Sequence, residues 1–296
     1  MKKNKYNISI VGQSNTGKST LINYLCDKYV TAESKKLQTT RVNLYNSVSV
    51  NNLSINLIDT PGVSLKSNDL LSSSMKSSYI KTLESIDMLL LMIDIDNKDF
   101  NYEESILKLA KVANTEIIIL INKIDLVEDD LAILDNLKSR ITSDYELEIY
   151  FISLKSKQGV LQMINGFCKT LESKKPLSKK NIIPDNQKTI SIQEIIRGVI
   201  IELTHGEIPY DTAVHIENHI AKKKIIEIYA SIYVSKENQK KIIIGRSGSM
   251  IKKIGIESRL KLESIHSKQF YISLKVIVKE NWKNNYTLLK EIGYID

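Results

Sequence analysis

Three short segments in the first 125 residues place small, cationic and carboxylate side chains at spacings suited to a phosphorylated ligand. They are Gly12-Gln13-Ser14-Asn15-Thr16-Gly17-Lys18-Ser19, Asp59-Thr60-Pro61-Gly62 and Asn122-Lys123-Ile124-Asp125. Each follows an apolar run that reads as a buried strand, at 8–11, 55–58 and 117–121. In the first segment, Gly12 and Gly17 let the backbone close around phosphate, with amides turned inward and a helix N-terminus behind them. Gln13, Ser14, Asn15, Thr16 and Thr20 belong to the same cradle. Lys18 brings a point charge to the terminal phosphates, and the Ser19 hydroxyl suits Mg²⁺.

Asp59 at a strand end is the expected second support of that metal, held through a water. The Gly62 amide would sense a γ-phosphate, with Thr60, Pro61 and Val63 beside it. Asp125 decides the base. Its carboxylate can accept both N1–H and N2–H₂ of guanine, and adenine has no such donor pair, so GTP and GDP are expected over ATP. Asn122 and Lys123 accompany it, and Ser153-Leu154-Lys155, after a further strand, would complete the base pocket.

Between the first two segments, Thr39 or Thr40 would close the Mg²⁺ shell when GTP is present, with Thr40 favoured. Val63 cannot orient an attacking water as a glutamine would, and Arg41 is only a distant arginine-finger candidate. Slow hydrolysis is therefore expected, carried by Asn15, Lys18, Thr40 and Gly62 through charge neutralisation and positioning. An asparagine at position 15 also raises the expectation of K⁺ beside the phosphates.

The elements around these residues alternate. Strand-like runs at 86–95 and 149–153 join the three above, and helical patterns fall at 103–112, 129–141 and 160–171. This is the pattern of an α/β domain with a mostly parallel sheet covered on both faces. A polar segment holding Pro176 and Pro184 reads as a linker. The expected domains are 1–172, a linker 173–190, and 191–296.

Charge separates the two parts. Residues 1–172 carry 20 Lys and Arg against 21 Asp and Glu, whereas 173–296 carry 22 against 13. The surplus of +9 in the second part points to a polyanion. That part reads as an α+β module, with a helix at 192–203, strands at 213–217, 225–234 and 270–278, and helices at 249–265 and 282–292. Gly245-Arg246-Ser247-Gly248, preceded by an apolar strand and followed by a basic helix, fits the GxxG loop of a type II KH fold. Lys252, Lys253 and Arg259 would line or flank an RNA path beside it. Trp282 is expected to anchor the last helix in a core. Two cysteines and four histidines offer neither a disulfide framework nor a metal-ligand pattern, and no stretch of the chain is apolar enough for a membrane span. Met1-Lys2-Lys3-Asn4-Lys5 leads straight into a strand rather than a cleavable signal.

Taken together, these segments resemble the bacterial Era GTPases, a small GTPase (P-loop) domain followed by a C-terminal KH domain. The resemblance rests on 12–20, Gln38-Thr39-Thr40-Arg41, 59–62 and 122–125, then Glu194-Ile195-Ile196-Arg197, Glu207-Ile208-Pro209, 245–259 and 278–282. It implies a GTP-regulated factor of small ribosomal subunit (30S) assembly whose KH domain binds the 3′ end of 16S rRNA. It also implies peripheral association with the inner membrane, whose acidic surface a basic face suits; the cysteine usage points to a reduced, cytoplasmic setting, and a monomer is the default expectation. Ser14, Leu154, Ser258 and Ser267 depart from residues common in that family. The alternative is an RNA-binding scaffold whose nucleotide is mainly structural; its RNA affinity would be indifferent to GTP versus GDP. Another bacterial GTPase, such as a tRNA-modification partner, is a weaker alternative because of the KH-like module.

Overall fold

The computed structural model describes residues 5–13, 15–26, 41–60, 69–97, 100–127, 147–177 and 187–295. Contacts divide them into two compact units. The first comprises the described residues of 1–27, 45–62 and 78–182; the second comprises those of 28–44, 63–77 and 183–296. The boundary expected at 173–190 is therefore crossed twice by earlier segments, since 41–44 and 69–77 group with the C-terminal unit.

The first unit is built on a six-stranded sheet. Its strands are β1 (Lys5–Gly12), β2 (Leu44–Val50), β3 (Leu53–Asp59), β4 (Met88–Asp94), β5 (Ile117–Asn122) and β6 (Glu148–Ile152), in the order β2-β3-β1-β4-β5-β6. The pairs β1–β3, β1–β4, β4–β5 and β5–β6 are all parallel. Ile8, Ile10, Leu57, Leu89, Leu90, Leu91, Ile118 and Ile119 are fully buried, because strands covered on both faces take continuous apolar runs rather than alternation. The helices α1 (Lys18–Cys26), α2 (Leu70–Ser85), α3 (Asn101–Val112) and α4 (Val160–Glu172) punctuate these strands. The first eight residues of α2 group with the second unit. The helix expected at 129–141 lies outside the described residues.

Register explains why the motifs converge. Ile10 pairs with Asp59, Gly12 with Met92, Asp94 with Asn122, and Asn122 with Ile152. All are at the carboxyl ends of parallel strands, the edge at which open α/β sheets bind ligands. β2 and β3 were not anticipated as a pair. They are joined by Asn51-Asn52, both at positive φ, the backbone of a two-residue hairpin turn.

The second unit orders α5 (Gln187–Leu203), β7 (Thr212–Ala221), β8 (Ile225–Val234), α6 (Glu237–Ile244), α7 (Ser249–His266), β9 (Gln269–Val278) and α8 (Tyr286–Ile292). Its sheet runs β7-β8-β9, antiparallel then parallel, so β9 is an edge. One core gathers Ile196, Val199 and Ile200 of α5 with Ile228, Ile232, Ile254, Leu262 and Phe270. Immediately before the glycine pair the chain is helical, as α6; the strand preceding the loop is β8, one element earlier. The last helix is broken: a 3₁₀ turn Trp282–Asn284 ends at Asn285, whose side chain caps α8 by accepting from Leu288 N–H at 3.0 Å.

A second core of this unit contains Leu71, Ala213, Tyr233, Trp282, Leu288, Leu289, Ile292 and Tyr294. Trp282 is fully buried there and donates to the Asp211 carbonyl at 3.3 Å, which agrees with its expected anchoring role. Arg41 enters the same core. Its guanidinium donates to the carbonyls of Thr212 (2.5 Å) and Tyr210 (2.7 Å) and lies 5.3 Å from the Trp282 ring centre and 5.9 Å from that of Tyr294. So engaged, Arg41 is a structural cation of the second unit rather than a catalytic finger.

Candidate nucleotide site and nucleic-acid groove

In the first unit, β1 ends at Gly12 and α1 begins at Lys18, so the loop between them opens a helix N-terminus, a natural anion site. Gly17 has φ +105°, and a Cβ there would fall 2.4 Å from the Asn122 side-chain nitrogen. Only glycine lets Asn122 come this close. Asn122 uses that approach to join both halves of the site: its Nδ2 donates to the Thr16 carbonyl at 2.7 Å, and its Oδ1 accepts from Leu154 N–H at 3.1 Å. Asn15 sits in the left-handed region at φ 67°, which its short amide tolerates, and it is exposed. Thr16 Oγ donates to the Gln13 carbonyl at 2.9 Å, and Gln13 reaches Glu103 of α3 at 3.2 Å.

Lys18 arches over the loop and donates to the carbonyls of Gly12 (2.8 Å) and Gln13 (2.7 Å). Burial lowers its pKa and the carboxylate of Asp59 partly offsets that, so the two groups share one electrostatic site. Asp59 is almost fully buried at the end of β3, and Ser19 opens α1. A carboxylate and a hydroxyl, both hard oxygen donors, suit a divalent ion that keeps waters and shares phosphate oxygens. The residues present therefore fit Mg²⁺. No cluster of three or more His, Cys, Asp or Glu able to hold a metal occurs among the described residues. Ser14, Thr39, Thr40, Pro61, Gly62 and Val63 lie outside the described residues.

At the base end, Asp125 accepts from Ser153 Oγ at 2.6 Å and pairs with Lys155 at 3.7 Å. The Ser153 hydroxyl, chiefly, holds the Asp125 carboxyl below the usual carboxylate range, keeping it ionised and oriented. Lys123 adopts φ 68° and its ammonium contacts Asp94 at the end of β4. Asp94 and Glu103 were not anticipated as part of the site. Asp94 closes a buried strand, and that position was the available signal; Glu103 gave none.

In the second unit, a groove of about 550 Å³ runs between α7 and the edge strand β9. Ile251, Lys252, Gly255, Ile256 and Arg259 of α7 line one side, and Phe270, Tyr271, Ile272 and Leu274 line the other. Of the expected RNA residues, Lys252 and Arg259 fall in this lining. Lys253 is exposed next to it, and 245–248 form the turn that leads into α7. Gly245 has φ +74°, and a Cβ would meet Met250 backbone nitrogen at 2.7 Å, so the turn needs glycine there. Ser247 and Gly248 are also left-handed, at φ 50° and 77°. The apolar wall at 251, 255, 270, 272 and 274 was missed, although period-four spacing on the helix and period-two on the strand encode it. An apolar slot with a strand edge on one side and cations on the other suits unstacked bases and their phosphates.

Comparison with known proteins follows the same division. Residues 7–123 match the family described as 50S ribosome-binding GTPase, and residues 207–283 match the KH domain family. Over 97% of its length the chain is 32% identical to GTPase Era of Geotalea uraniireducens, spanning 96% of that protein. It is 33% identical over 98% of its length to GTPase Era of Carboxydothermus hydrogenoformans, spanning 97% of it. Among solved structures it resembles an Aquifex aeolicus Era variant bound to GDP·AlF₄⁻ (TM-score 0.88, 31% identity, 99% of this chain and 100% of that one). It also resembles Era in complex with MgGDPNP and nucleotides 1506–1542 of 16S ribosomal RNA (TM-score 0.87, 30% identity, 99% and 100%).

Proposed function

The chain belongs to the Era family of GTPases, and from that premise we propose that it is a GTP-hydrolysing switch that binds 16S rRNA and assists assembly of the 30S subunit. The observation that carries the RNA half is the α7–β9 groove, which opens beside a glycine turn and holds Lys252 and Arg259. The known relative crystallised with nucleotides 1506–1542 of 16S rRNA points to the same ligand here.

In the nucleotide half, amides of 12–17 and the start of α1 receive the phosphates. Lys18, relieved of its loop carbonyls by the ligand, neutralises charge that grows on the γ-phosphate oxygens during transfer to water. Ser19 and Asp59 would hold Mg²⁺, which when bound adds further charge neutralisation between the phosphates. Asp125, fixed by Ser153, accepts from guanine, and Asn122 keeps base and phosphate ends at one spacing. Thr40 would close the Mg²⁺ shell when GTP is bound, Gly62 would sense the γ-phosphate, and Asn15 would hold K⁺ beside the phosphates. With Val63 in place of a water-orienting glutamine, the intrinsic rate is slow. The protein works in the cytoplasm as a monomer, with its basic unit able to touch acidic lipid; among the described residues no helix is long and apolar enough to cross a membrane.

The test is binding of the full chain to an RNA matching the 16S 3′ end, with GDP and with a non-hydrolysable GTP analogue. Tight binding only with the analogue supports the assembly switch. Equal binding in both states favours the scaffold alternative, and no binding in either removes the rRNA reading.

A further inference from the structure

The groove ends beside a second, separate concentration of positive charge. β7 and β8 are joined by a two-residue turn, Lys223-Lys224, closed by Lys222 N–H donating to the Ile225 carbonyl at 2.9 Å. In the parallel pair β8–β9, Ile225 lies opposite Gln269. The residues just before them, Lys224 and Lys268, are therefore neighbours at the same end of the sheet. Lys223, Lys224 and Lys268 are all exposed, and none makes an ion pair with a described residue. The carboxylates nearby are already engaged: Glu227 pairs with Lys222, and Glu263 accepts from Phe270 N–H at 3.0 Å.

The position of this patch follows from the helix. α7 has 18 residues, which at 1.5 Å each span about 27 Å, with the glycine turn at one end and Ser267-Lys268 at the other. The groove wall extends from Ile251 only as far as Arg259 on α7, and on β9 it starts at Phe270, two residues from Lys268. A KH loop and groove clamp about four nucleotides. A longer strand leaving by the Arg259–Phe270 end emerges at the end of the sheet from which Lys224 and Lys268 project.

From this continuity we infer that Lys223, Lys224 and Lys268 form a phosphate-binding extension of the groove, which grips single-stranded RNA beyond the nucleotides whose bases the groove reads. The inference rests on the RNA reading above and goes beyond it in assigning a second contact region with no base specificity. Flexible ammonium groups without stacking partners neutralise phosphate but do not distinguish bases.

The experiment compares the full wild-type chain with the triple variant K223Q/K224Q/K268Q, using an RNA of about five nucleotides that fills the groove and one of about fifteen that overruns it. The variant is expected to bind the short RNA as the wild type does and to bind the long RNA more weakly. Three lost phosphate contacts at about 0.7 each should reduce the log–log salt slope for the long RNA by about 2. A fourfold drop in salt would then strengthen wild-type binding roughly 16-fold more than variant binding. Equal slopes for the two proteins on the long RNA overturn the extension. So does an unchanged long-RNA affinity accompanied by loss of binding to phosphatidylserine vesicles, which would assign the lysines to a lipid surface. Failure of the wild type to bind even the short RNA overturns instead the groove reading on which the extension depends.

Discussion

Replacing Arg41 by methionine should destabilise the second unit by about 2–4 kcal/mol. The guanidinium makes two hydrogen bonds to backbone carbonyls, at 2.5 and 2.7 Å, each worth about 1.5–3 kcal/mol for a charged donor. Two aromatic rings with centres at 5.3 and 5.9 Å add about 0.5–1 kcal/mol each. Against this stand the cost of burying the cation and its repulsion with Arg197, which together lower the Arg41 pKa, burial being the larger cause. Arg197 itself is held charged: burial alone would lower its pKa, but the charge and hydrogen bonds of Glu194, 2.6 Å away, leave it raised. Methionine keeps most of the stem volume, so the loss reads the polar contacts rather than a cavity. Urea unfolding followed by tryptophan emission suits the measurement, because the chain's single tryptophan, Trp282, is fully buried beside Arg41. With a urea slope of about 2 kcal/mol per molar, in the middle of the usual range, the midpoint should fall by roughly 1–2 M. Arg41→Lys should recover only part, since one ammonium cannot serve two carbonyls as a planar fork does. An unfolding free energy for Arg41→Met within about 0.5 kcal/mol of wild type would falsify this account and show that desolvation cancels the contacts.

Asp125→Asn should weaken GDP by about 3–6 kcal/mol, two charge-assisted hydrogen bonds, and improve xanthosine diphosphate; calorimetry showing no gain for the xanthine nucleotide would remove the base assignment. Because Ser153 depresses the Asp125 pKa, its ionised base contact is present above the ordinary carboxylate pKa and is lost only as pH falls through the lower folded value. GDP affinity should thus stay level between pH 7 and about 5, and an earlier decline counts against that ionisation state. Gly248→Asp is predicted to reduce RNA affinity at least tenfold while leaving GDP binding unchanged, because an added Cβ meets nothing within 4 Å, Asp is among the residues that tolerate the left-handed φ of 77° at modest strain, and the change places a carboxylate at the turn; filter binding at fixed salt checks it. GTP hydrolysis should run several-fold faster in potassium than in sodium, and Asn15→Ala should erase the difference; equal rates for the wild type exclude K⁺ from the site.

How far the sequence speaks depends on where a residue's partners lie. The phosphate loop, the strand before it and the Asn122–Asp125 turn were legible because a buried parallel strand is a run of neighbours such as 117–121, and each motif begins where its strand ends. β2 escaped notice since Tyr45, Asn46, Ser47 and Ser49 dilute its alternation, and α2 because its serines blur any helical face. α6 was hidden by Ile242-Ile243-Ile244, a β-branched run held helical by tertiary context: Ile243 is buried in the core, and Gln239 accepts from Lys236 N–H at 3.1 Å. The seat of Arg41 could not be read, its acceptors being 169 and 171 positions away. The same distance principle explains the lining of the groove, whose two walls come from separate elements although each wall is periodic.

A strand whose outer edge borders the proposed RNA groove is also open to other strands. β9 reads Gln269-Phe-Tyr-Ile-Ser-Leu-Lys-Val-Ile-Val278, strongly β-prone with a single internal charge, and among the described residues it has one neighbour in the sheet. Any second chain able to align beside it would compete with the ligand for the same backbone groups. Lys252 and Arg259 of α7 stand beside that edge, and like charge on another copy of this basic unit would be repelled there. Overproduced protein stripped of RNA should therefore clump at high ionic strength, where that guard is screened, and an oligonucleotide occupying the groove should act as its solubiliser.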